Sequence, residues 1–486
     1  MRPILPAEPW EARRRRPVWA AAALAAGVLL LLSCGCKVGP DYHRPALDVP
    51  GGYRGESEAA TNSLADLPWW RIFHDDQLQA LVEQAITNNY DLRIAIARVE
   101  QAHEQLVQTR AGLFPQIDYE AVAGGGKSVS GISQPSPTGV EGSVFAGDVN
   151  ASWEIDLWGR IRRQTEAARA QYVATEEARH DVLTSLIAQV AQNYFQLLSL
   201  DRQLQIAHDS TNSYGDSLRI FNQRLQGGVA SKLETASAEA LLDAAAATVP
   251  ELEQQVALEE NQINILLGHN PGPVARTNVS LETELPADIP AGLPSALLER
   301  RPDVREAEQQ LRAANALIGA AKANFFPQLD LTGLFGRVSP ELASLSSGGS
   351  VAWSAAASLA GPLFHGGAIR AQYRQAKDAR DQAALQYQST VLSAFQDVSD
   401  QLISRDKLAA ARASRVQAVA AFQEALKIAQ ERYRLGTSSY YEVLQQQQQL
   451  FPAEDNLVQT ELNQVLTVVG LYRALGGGWQ NAGAPP

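Results

Sequence analysis

The stretch FPQID at residues 114–118 decides the fold, because it recurs as FPQLD at residues 326–330, 212 positions later. The offset falls to 208 in the later part of each copy, so four positions are lost between Asp330 and Val391. The chain therefore consists of two homologous halves, roughly 76–268 and 300–475. Pairs that recur at one of these offsets are Asp91 with Asp303, Arg93 with Arg305, Leu183 with Val391, Ile187 with Phe395, Val190 with Val398, Tyr194 with Leu402, Arg224 with Arg432, Gly228 with Gly436 and Glu234 with Glu442.

Each half begins with a helical pattern that gives way to a hairpin pattern. Apolar residues at three- and four-residue spacing, with no proline, predict a single helix before the repeated FPQ motif. After that motif the period changes to two, which predicts a strand, a polar loop and a returning strand. The predicted segments are a helix at 76–111, strands at 117–123 and 148–156 with a loop at 124–142, and strands at 329–335 and 350–359 in the second half.

Two proline-free runs, residues 160–226 and 368–435, predict the longest helices. At a rise of 1.5 Å per residue, each extends ~100 Å if it is continuous. Apolar residues at alternating four- and three-residue spacing indicate helices packed side by side. Glycines at 227, 228 and 436 end these runs, and returning helices are expected at 233–267 and 441–475. An ordinary coiled coil shares this pattern but has no use for the strands.

The four predicted strands are too few to form a barrel alone. An open sheet edge is not viable in lipid, and transmembrane barrels begin at eight strands. Several copies are therefore required, and a closed ring of two, three or four satisfies symmetry. The alternative is a periplasmic protein with two surface hairpins.

The N-terminus has the pattern of a secretory signal. Arginines at 13–16 precede the apolar run 18–32, and Ser33-Cys34-Gly35-Cys36 follows it. A small residue and then cysteine resembles a bacterial lipobox, in which the cysteine is acylated. Cys34 has the preferred leucine three residues before it, whereas Cys36 stands where related lipoproteins keep theirs. Cys34 is slightly favoured; neither is followed by aspartate, so the outer membrane is the expected destination.

Composition and motifs argue against an enzyme or a nucleic-acid-binding protein. The net charge is −12 and the pI about 5.2, whereas a nucleic-acid-binding surface needs a basic stripe. The seven histidines are scattered without metal-ligand spacing. The run GGGK at 124–127 lacks the spacing of a phosphate loop and is interpreted as a mobile extracellular loop. We expect no catalytic residue, no metal and no cofactor.

Several motifs resemble one family of outer-membrane proteins. They are VGPDY at 38–42 with Arg44-Pro45, Trp69-Trp70, WEIDLWGR at 153–160, IPAGLPS at 289–295 and LERRPDVR at 298–305. Together they are similar to the NodT-type branch of the TolC family of outer-membrane efflux lipoproteins, and the resemblance spans residues 38–475.

This resemblance implies an α+β membrane protein, a homotrimer whose 12-strand outer-membrane β-barrel continues into a 12-helix periplasmic α-barrel. It implies a lipid-anchored duct that receives small molecules such as drugs, toxic compounds or metals from an inner-membrane RND-type pump through a periplasmic adaptor. A type I protein-secretion duct of the same family is the alternative. The expected division is a signal peptide at 1–33 (to 35 if Cys36 is the anchor), an anchor and equatorial segment at 34–75, repeats at 76–268 and 300–475, an equatorial linker at 269–299 and a tail at 476–486.

The turns between the long helices are the candidate functional residues. By resemblance they form an adaptor-docking surface, and their glycines accept the positive φ that a reversal needs. The expected docking residues are Arg224, Gly227, Gly228, Val229, Arg432, Leu435, Gly436 and Thr437. Glu234, Glu442 and Gln445 are the expected periplasmic gate, where Gln445 replaces an aspartate that is common in the family.

Overall fold

The computed structural model describes residues 37–55, 63–64, 75–127, 141–276, 291–292, 294–346 and 348–477. The predicted signal peptide, Cys34, Cys36, the Trp69-Trp70 pair and residues 277–290 and 293 of the predicted linker lie outside these residues. The first repeat contains α1 (Asp76–Asn88), α2 (Tyr90–Ala111), β1 (Gln116–Lys127), β2 (Glu141–Ile155), α3 (Arg160–Gln226) and α4 (Lys232–Leu266). The second contains α5 (Pro294–Arg300), α6 (Pro302–Ala323), β3 (Gln328–Ser339), β4 (Val351–Ala360), α7 (Ala368–Arg434) and α8 (Tyr440–Ala474).

The long helices agree with the prediction to within a residue at each end. α3 and α7 each contain 67 residues, and the returning helices α4 and α8 each contain 35. Of the residues with this spacing in α3, Ile187, Val190, Tyr194 and Leu197 are buried, and Leu183 is half-buried. The four- and three-residue spacing therefore identified the packed side of these helices.

The single helix predicted at 76–111 is wrong, because Asn89 divides it into α1 and α2. Asn89 has φ −57° and ψ 131°, outside the helical region. Its Oδ1 accepts a hydrogen bond from Leu92 N (2.9 Å), and its Nδ2 donates to Leu266 O (2.9 Å). Asn89 thus caps the start of α2 and donates to a carbonyl at the end of α4. A residue in the interior of a continuous helix could not act as this cap.

The second repeat has the same break at the equivalent position, Arg301. Pro302 follows it and disfavours a helical conformation in the preceding residue. Arg301 Nη1 donates to Ala474 O (3.2 Å), the counterpart of the bond from Asn89 to Leu266. α5 therefore begins inside the predicted linker, and both repeats tie their first helix break to the end of their last helix.

The four strands form one antiparallel sheet in the order β1-β2-β3-β4. The two predicted hairpins are present, and β2 also pairs with β3, which joins the two repeats. The run Gly124 to Lys127 is strand and not the predicted loop, since it pairs with 141–144. Backbone pairing needs no side chains, so the glycines do not prevent it.

The chain divides into two compact units. One comprises Met1–Arg44, Gln101–Tyr172 and Gln309–Ala384, with all four strands; the other comprises Pro45–Glu100, Val173–Glu308 and Leu385–Pro486. Among the described residues, no helix combines the length and apolar character that crossing a membrane demands.

Candidate functional site

The sheet has one strongly apolar face. Cross-strand partners share a face of an antiparallel sheet, and successive residues alternate between the faces. One row across all four strands consists of Tyr119, Val149, Phe335 and Trp353. Tyr119 is 87% exposed and Trp353 74% exposed. Large apolar side chains therefore cover this face without being buried within the chain.

The opposite face of the same sheet is polar and acidic. Its cross-strand pairs include Asp118 with Asn150, Glu120 with Asp148, and Glu154 with Asp330. Such side chains require water, whereas the row of aromatic residues on the other face does not. Each strand thus separates an apolar environment from an aqueous one.

A concave space of about 1030 Å³ lies on this polar side, between the sheet and the adjoining helix ends. Its lining includes Gln116, Ser152, Thr332 and the ion pair between Arg160 and Glu154. Hydrogen bonding to Glu154 raises the pKa of the Arg160 guanidinium, and burial opposes the shift. The space is an open concave surface rather than an enclosed pocket for one ligand.

The segment that follows the candidate anchor cysteines is held by Arg163, whose side chain is 1% exposed. Arg163 Nε donates to Val38 O (3.1 Å), and its Nη2 donates to Gly39 O (3.2 Å) and pairs with Asp41 (3.0 Å). Glu166 accepts from Nη1 (3.0 Å). The sequence motif at 38–42 signalled a role for this segment but gave no indication of its partner on α3.

α6 holds the same segment from a second direction. Asn315 Nδ2 donates to Pro40 O (3.1 Å), and the Arg312 guanidinium lies 4.9 Å from the centre of the Tyr42 ring. Gly39, at φ +104°, lies so close to Gly319 of α6 that a Cβ on Gly39 would come within 2.4 Å of the Gly319 Cα. Residue 39 must therefore be glycine, both because its φ is positive and because it lies so close to Gly319.

The two turns between long helices have the same geometry. Gly228 and Gly436 have φ of +73° and +71°, the left-handed conformation that favours glycine. The carbonyl of Arg224 accepts from Val229 N (2.9 Å), and that of Arg432 accepts from Thr437 N (3.0 Å). Gly227 lies in the same turn as Gly228, but its φ is not positive. The two arginines thus contribute their backbone carbonyls to the turn as well as a side chain.

The predicted docking residues surround the two turns. Val229, Leu435, Arg432 and Thr437 are exposed, and Arg224 is half-buried. The Arg224 guanidinium lies 6.0 Å from the centre of the Tyr433 ring, so the two turns approach each other through these side chains. Each turn therefore presents one exposed aliphatic side chain next to an arginine.

The predicted gate residues have separate environments. Glu234 accepts from Ser231 N (2.7 Å) in a capping box at the start of α4, and this hydrogen bond lowers the pKa of Glu234. Glu442 pairs with Arg432 (3.1 Å). Gln445 is exposed. Within one chain, the two carboxylates serve local structure, since Glu234 caps α4 and Glu442 pairs with Arg432.

A buried polar network near the turns was missed by sequence reasoning. Gln447 Nε2 donates to Ser213 Oγ (2.6 Å), and Ser217 Oγ donates to Gln447 Oε1 (3.2 Å). Ser217 is also hydrogen-bonded to the Tyr440 hydroxyl (2.9 Å). The spacing of Tyr440, Gln447 and Leu450 on α8 marks a buried stripe, which could have distinguished Gln447 from the other glutamines of its run.

The part of the chain that the structure describes has no group of three or more His, Cys, Asp or Glu residues arranged to hold a metal ion. The candidate site consists of the two-faced sheet, the N-terminal segment that Arg163 holds, and the two turns.

Comparison with known proteins gives one consistent result. The sequence model of the outer membrane efflux protein family matches residues 81–269 and 293–477. The probable efflux pump outer membrane protein TtgC of Pseudomonas putida is 33% identical, over 94% of this chain and 95% of its own. The cation efflux system protein CusC of Escherichia coli is 33% identical, over 92% and 96%.

The comparison with solved structures gives the same result as the comparison of sequences. The open state of the MtrE outer membrane channel of Neisseria gonorrhoeae is 31% identical and superposes with a TM-score of 0.83, over 91% of this chain and 99% of that chain. The chain therefore belongs to the outer membrane efflux protein family, and it is an outer-membrane channel component of an efflux pump.

Proposed function

We propose that three copies of this chain close a 12-strand β-barrel in the outer membrane and a 12-helix barrel in the periplasm. The pore conducts small molecules, unchanged chemically, from an inner-membrane RND-type pump and a periplasmic adaptor to the exterior. The observation that carries this proposal is the sheet with one apolar face, one acidic face and two open edges. Closing the edges with further copies places the apolar face in lipid and the acidic face around a water-filled lumen.

The relatives indicate the class of cargo. Their names refer to the efflux of toluene, solvents, an antibiotic or cations. These cargoes share small size rather than one chemistry, which fits an open polar lumen without a specific pocket. Small-molecule efflux is therefore favoured over a protein-secretion duct, and the pump selects the cargo.

The turns at 224–231 and 432–439 are the proposed docking surface for the adaptor. Val229 and Leu435 are large apolar residues exposed to solvent at the ends of hairpins, and each lies beside an arginine. A protein partner can bury the aliphatic side chain and pair with the arginine, a residue type that is enriched at protein interfaces. The repeat supplies two such turns in each copy.

An acyl anchor on Cys34 or Cys36 is the proposed attachment to the inner leaflet of the outer membrane. The two cysteines lie outside the described residues. From Lys37 onward, the chain is held by Arg163 and Glu166, which lie near the start of α3. Val38 N donates to Trp158 O (3.1 Å), three residues after β2 ends. The described chain, which starts one residue after Cys36, thus begins close to the end of a proposed membrane strand.

Two neighbouring alanines of β4 test the proposed orientation of the sheet. Ala355 pairs with Gly333 on the apolar face, and Ala356 pairs with Thr332 on the polar face. We expect Ala355→Arg to cost about 2–4 kcal/mol per chain if it faces lipid near the bilayer midplane, and so to reduce assembled channels in outer membranes. Ala356→Arg should assemble normally and shift single-channel selectivity toward anions.

The two variants differ only in the face that carries the new charge, so each is the control for the other. The readouts are the amount of detergent-extracted oligomer and the ion selectivity in planar bilayers. Equal assembly of both variants with unchanged selectivity, or loss of assembly in Ala356→Arg alone, would contradict the proposed barrel.

A further inference from the structure

The open edges of the sheet are β1 and β4, the first strand of one repeat and the last strand of the other. We propose that β4 of one copy pairs with β1 of the next in the register that β2 and β3 use within the chain. Leu363 then lies opposite Ile117, and Leu359 opposite Ala121, of the neighbouring copy. This inference rests on the proposed barrel of several copies and adds the residues that join them.

The internal repeat determines which residues of the two seams are equivalent. β3 corresponds to β1 at the offset of 212, and β4 corresponds to β2 at the offset of 208. The strand pairing obeys both offsets, since the first hairpin pairs Gln116 with Ser152 and the second pairs Gln328 with Ala360. The strand pairing of the two hairpins is therefore equivalent residue by residue.

The seam between the repeats gives the register between copies. Within the chain, β2 and β3 pair Ile155 with Leu329. The counterpart of Ile155 at the offset of 208 is Leu363, and the counterpart of Leu329 at the offset of 212 is Ile117. Repeating the in-chain seam between copies thus places Leu363 opposite Ile117. The next pairs follow along the strands.

The character of the two faces provides an independent check. Ile117, Ala121 and Leu359 all lie on the apolar face of the sheet, and Leu363 continues the same alternation beyond β4. The proposed register sets apolar residues opposite one another across the seam. A slip by one residue would set Leu359 opposite Glu120, which lies on the acidic face, so it would mix the two environments.

The exposure of the unpaired residues supports the same register. β2 continues three residues beyond its last partner on β1, and these residues pair with β3 alone. Their counterparts, residues 361–363, follow the end of β4 within the described chain. Leu363 is 103% exposed and Ile117 70% exposed. Pairing with a neighbouring copy would extend β4 through these residues, as β3 extends β2.

The same register sets Gly361 opposite Tyr119. An aromatic side chain that lies across a glycine on the opposite strand compensates for the absent side chain. Tyr119 has the exposure that this role requires. A Cβ at Gly361 would come within 3.0 Å of Pro327 in its own chain, so Gly361 itself is unsuitable for substitution.

Disulfide cross-linking in isolated outer membranes tests the register with four positions. Leu363→Cys with Ile117→Cys and Leu359→Cys with Ala121→Cys are the matched pairs. Exchanging the partners gives Leu363→Cys with Ala121→Cys and Leu359→Cys with Ile117→Cys, in which the sites are about 13 Å apart. Directly opposed Cα atoms lie about 4.5–5.5 Å apart, within disulfide range.

Controls come from the chain itself. Ile155→Cys with Leu329→Cys opposes two Cα partners of the in-chain seam and should form a disulfide that leaves the unfolded chain monomeric on a gel. The unsubstituted chain measures any cross-linking by Cys34 or Cys36. We expect both matched pairs to give multimers that reductant dissociates, and the exchanged pairs to give none above this background.

Multimers from the exchanged pairs alone would overturn the register while leaving the barrel of several copies intact. No multimer from any of the four pairs, in membranes where the in-chain disulfide forms and the channel conducts, would show that β4 and β1 are not joined in this way. Failure of the barrel itself would appear separately, as equal tolerance of arginine at Ala355 and Ala356.

Discussion

Arg163 joins the N-terminal segment to the first long helix. A guanidinium that is almost fully buried is stable only when its donors are satisfied, and here two backbone carbonyls and two carboxylates satisfy them. The partner carboxylates of Asp41 and Glu166 remain partly exposed, which limits the cost of burying the pair. One side chain thus positions residues 38–41, which follow the candidate anchor cysteines.

We expect Arg163→Met to release residues 37–42 from α3 without unfolding the chain. Methionine fills a similar volume but leaves the carbonyls of Val38 and Gly39 without their donor, a cost of about 1–3 kcal/mol. Limited proteolysis should cut the N-terminal segment of the variant and spare the unsubstituted protein. Arg169→Met, an exposed arginine of the same helix, is the control. Equal protection of the segment in both variants would contradict the assigned role.

Among the elements, the helix pair α3 and α8 is joined near the turns by polar contacts. Gln447 is 2% exposed and bridges Ser213 and Ser217, whereas Gln445, two residues earlier, faces solvent. The buried network lies beside the aromatic contact of Phe221 with Tyr440, at 5.2 Å between ring centres. The glutamine that joins these two helices within one chain is thus Gln447, which the sequence analysis did not single out.

We expect Gln447→Ala to loosen the helix ends and Gln445→Ala to have little effect. Removing the bridging amide leaves buried hydroxyl groups with fewer partners and should lower stability by about 1–3 kcal/mol. The change should appear as a lower midpoint of thermal unfolding and as more frequent opening in single-channel recordings. More frequent opening in Gln445→Ala, with Gln447→Ala unchanged, would return the gate to the position that the sequence predicted.

Local patterns account for what could be predicted at this scale. The long helices and hairpins follow from periods of 3.6 and 2, which neighbouring residues determine. The break at Asn89 does not, because its amide caps a carbonyl 177 residues away. Gln447 and Gln445 are equal in type, and only the buried stripe that Gln447 shares with Tyr440 and Leu450 on α8 could have separated them. The repeat itself could have revealed the first break, since Arg301 and Pro302 stand at the equivalent place.

For the whole molecule, the proposed barrel requires several copies to meet in one membrane. Each copy exposes an apolar sheet face and two strand edges, and an exposed edge can pair with a wrong chain. An acyl anchor would confine each copy to the membrane surface and raise its effective concentration for the others. Arg163 holds Val38, Gly39 and Asp41, so an anchor on a preceding cysteine would couple anchoring to edge pairing.

We therefore expect acylation at Cys34 or Cys36 to accelerate assembly without being needed by the finished channel. Mass spectrometry of the mature N-terminus should show a lipid-modified cysteine, and Cys34→Ser and Cys36→Ser, compared singly, should identify which one. The variant without acylation should yield fewer oligomers in outer membranes, because each copy must find the others from solution. Channels that do form should conduct normally, since the apolar sheet face rather than the acyl chain holds the barrel in lipid.

A free, unmodified amino terminus downstream of residue 36 in the unsubstituted protein would rule out the anchor. Normal oligomer yield in a variant shown to lack the lipid would rule out its role in assembly.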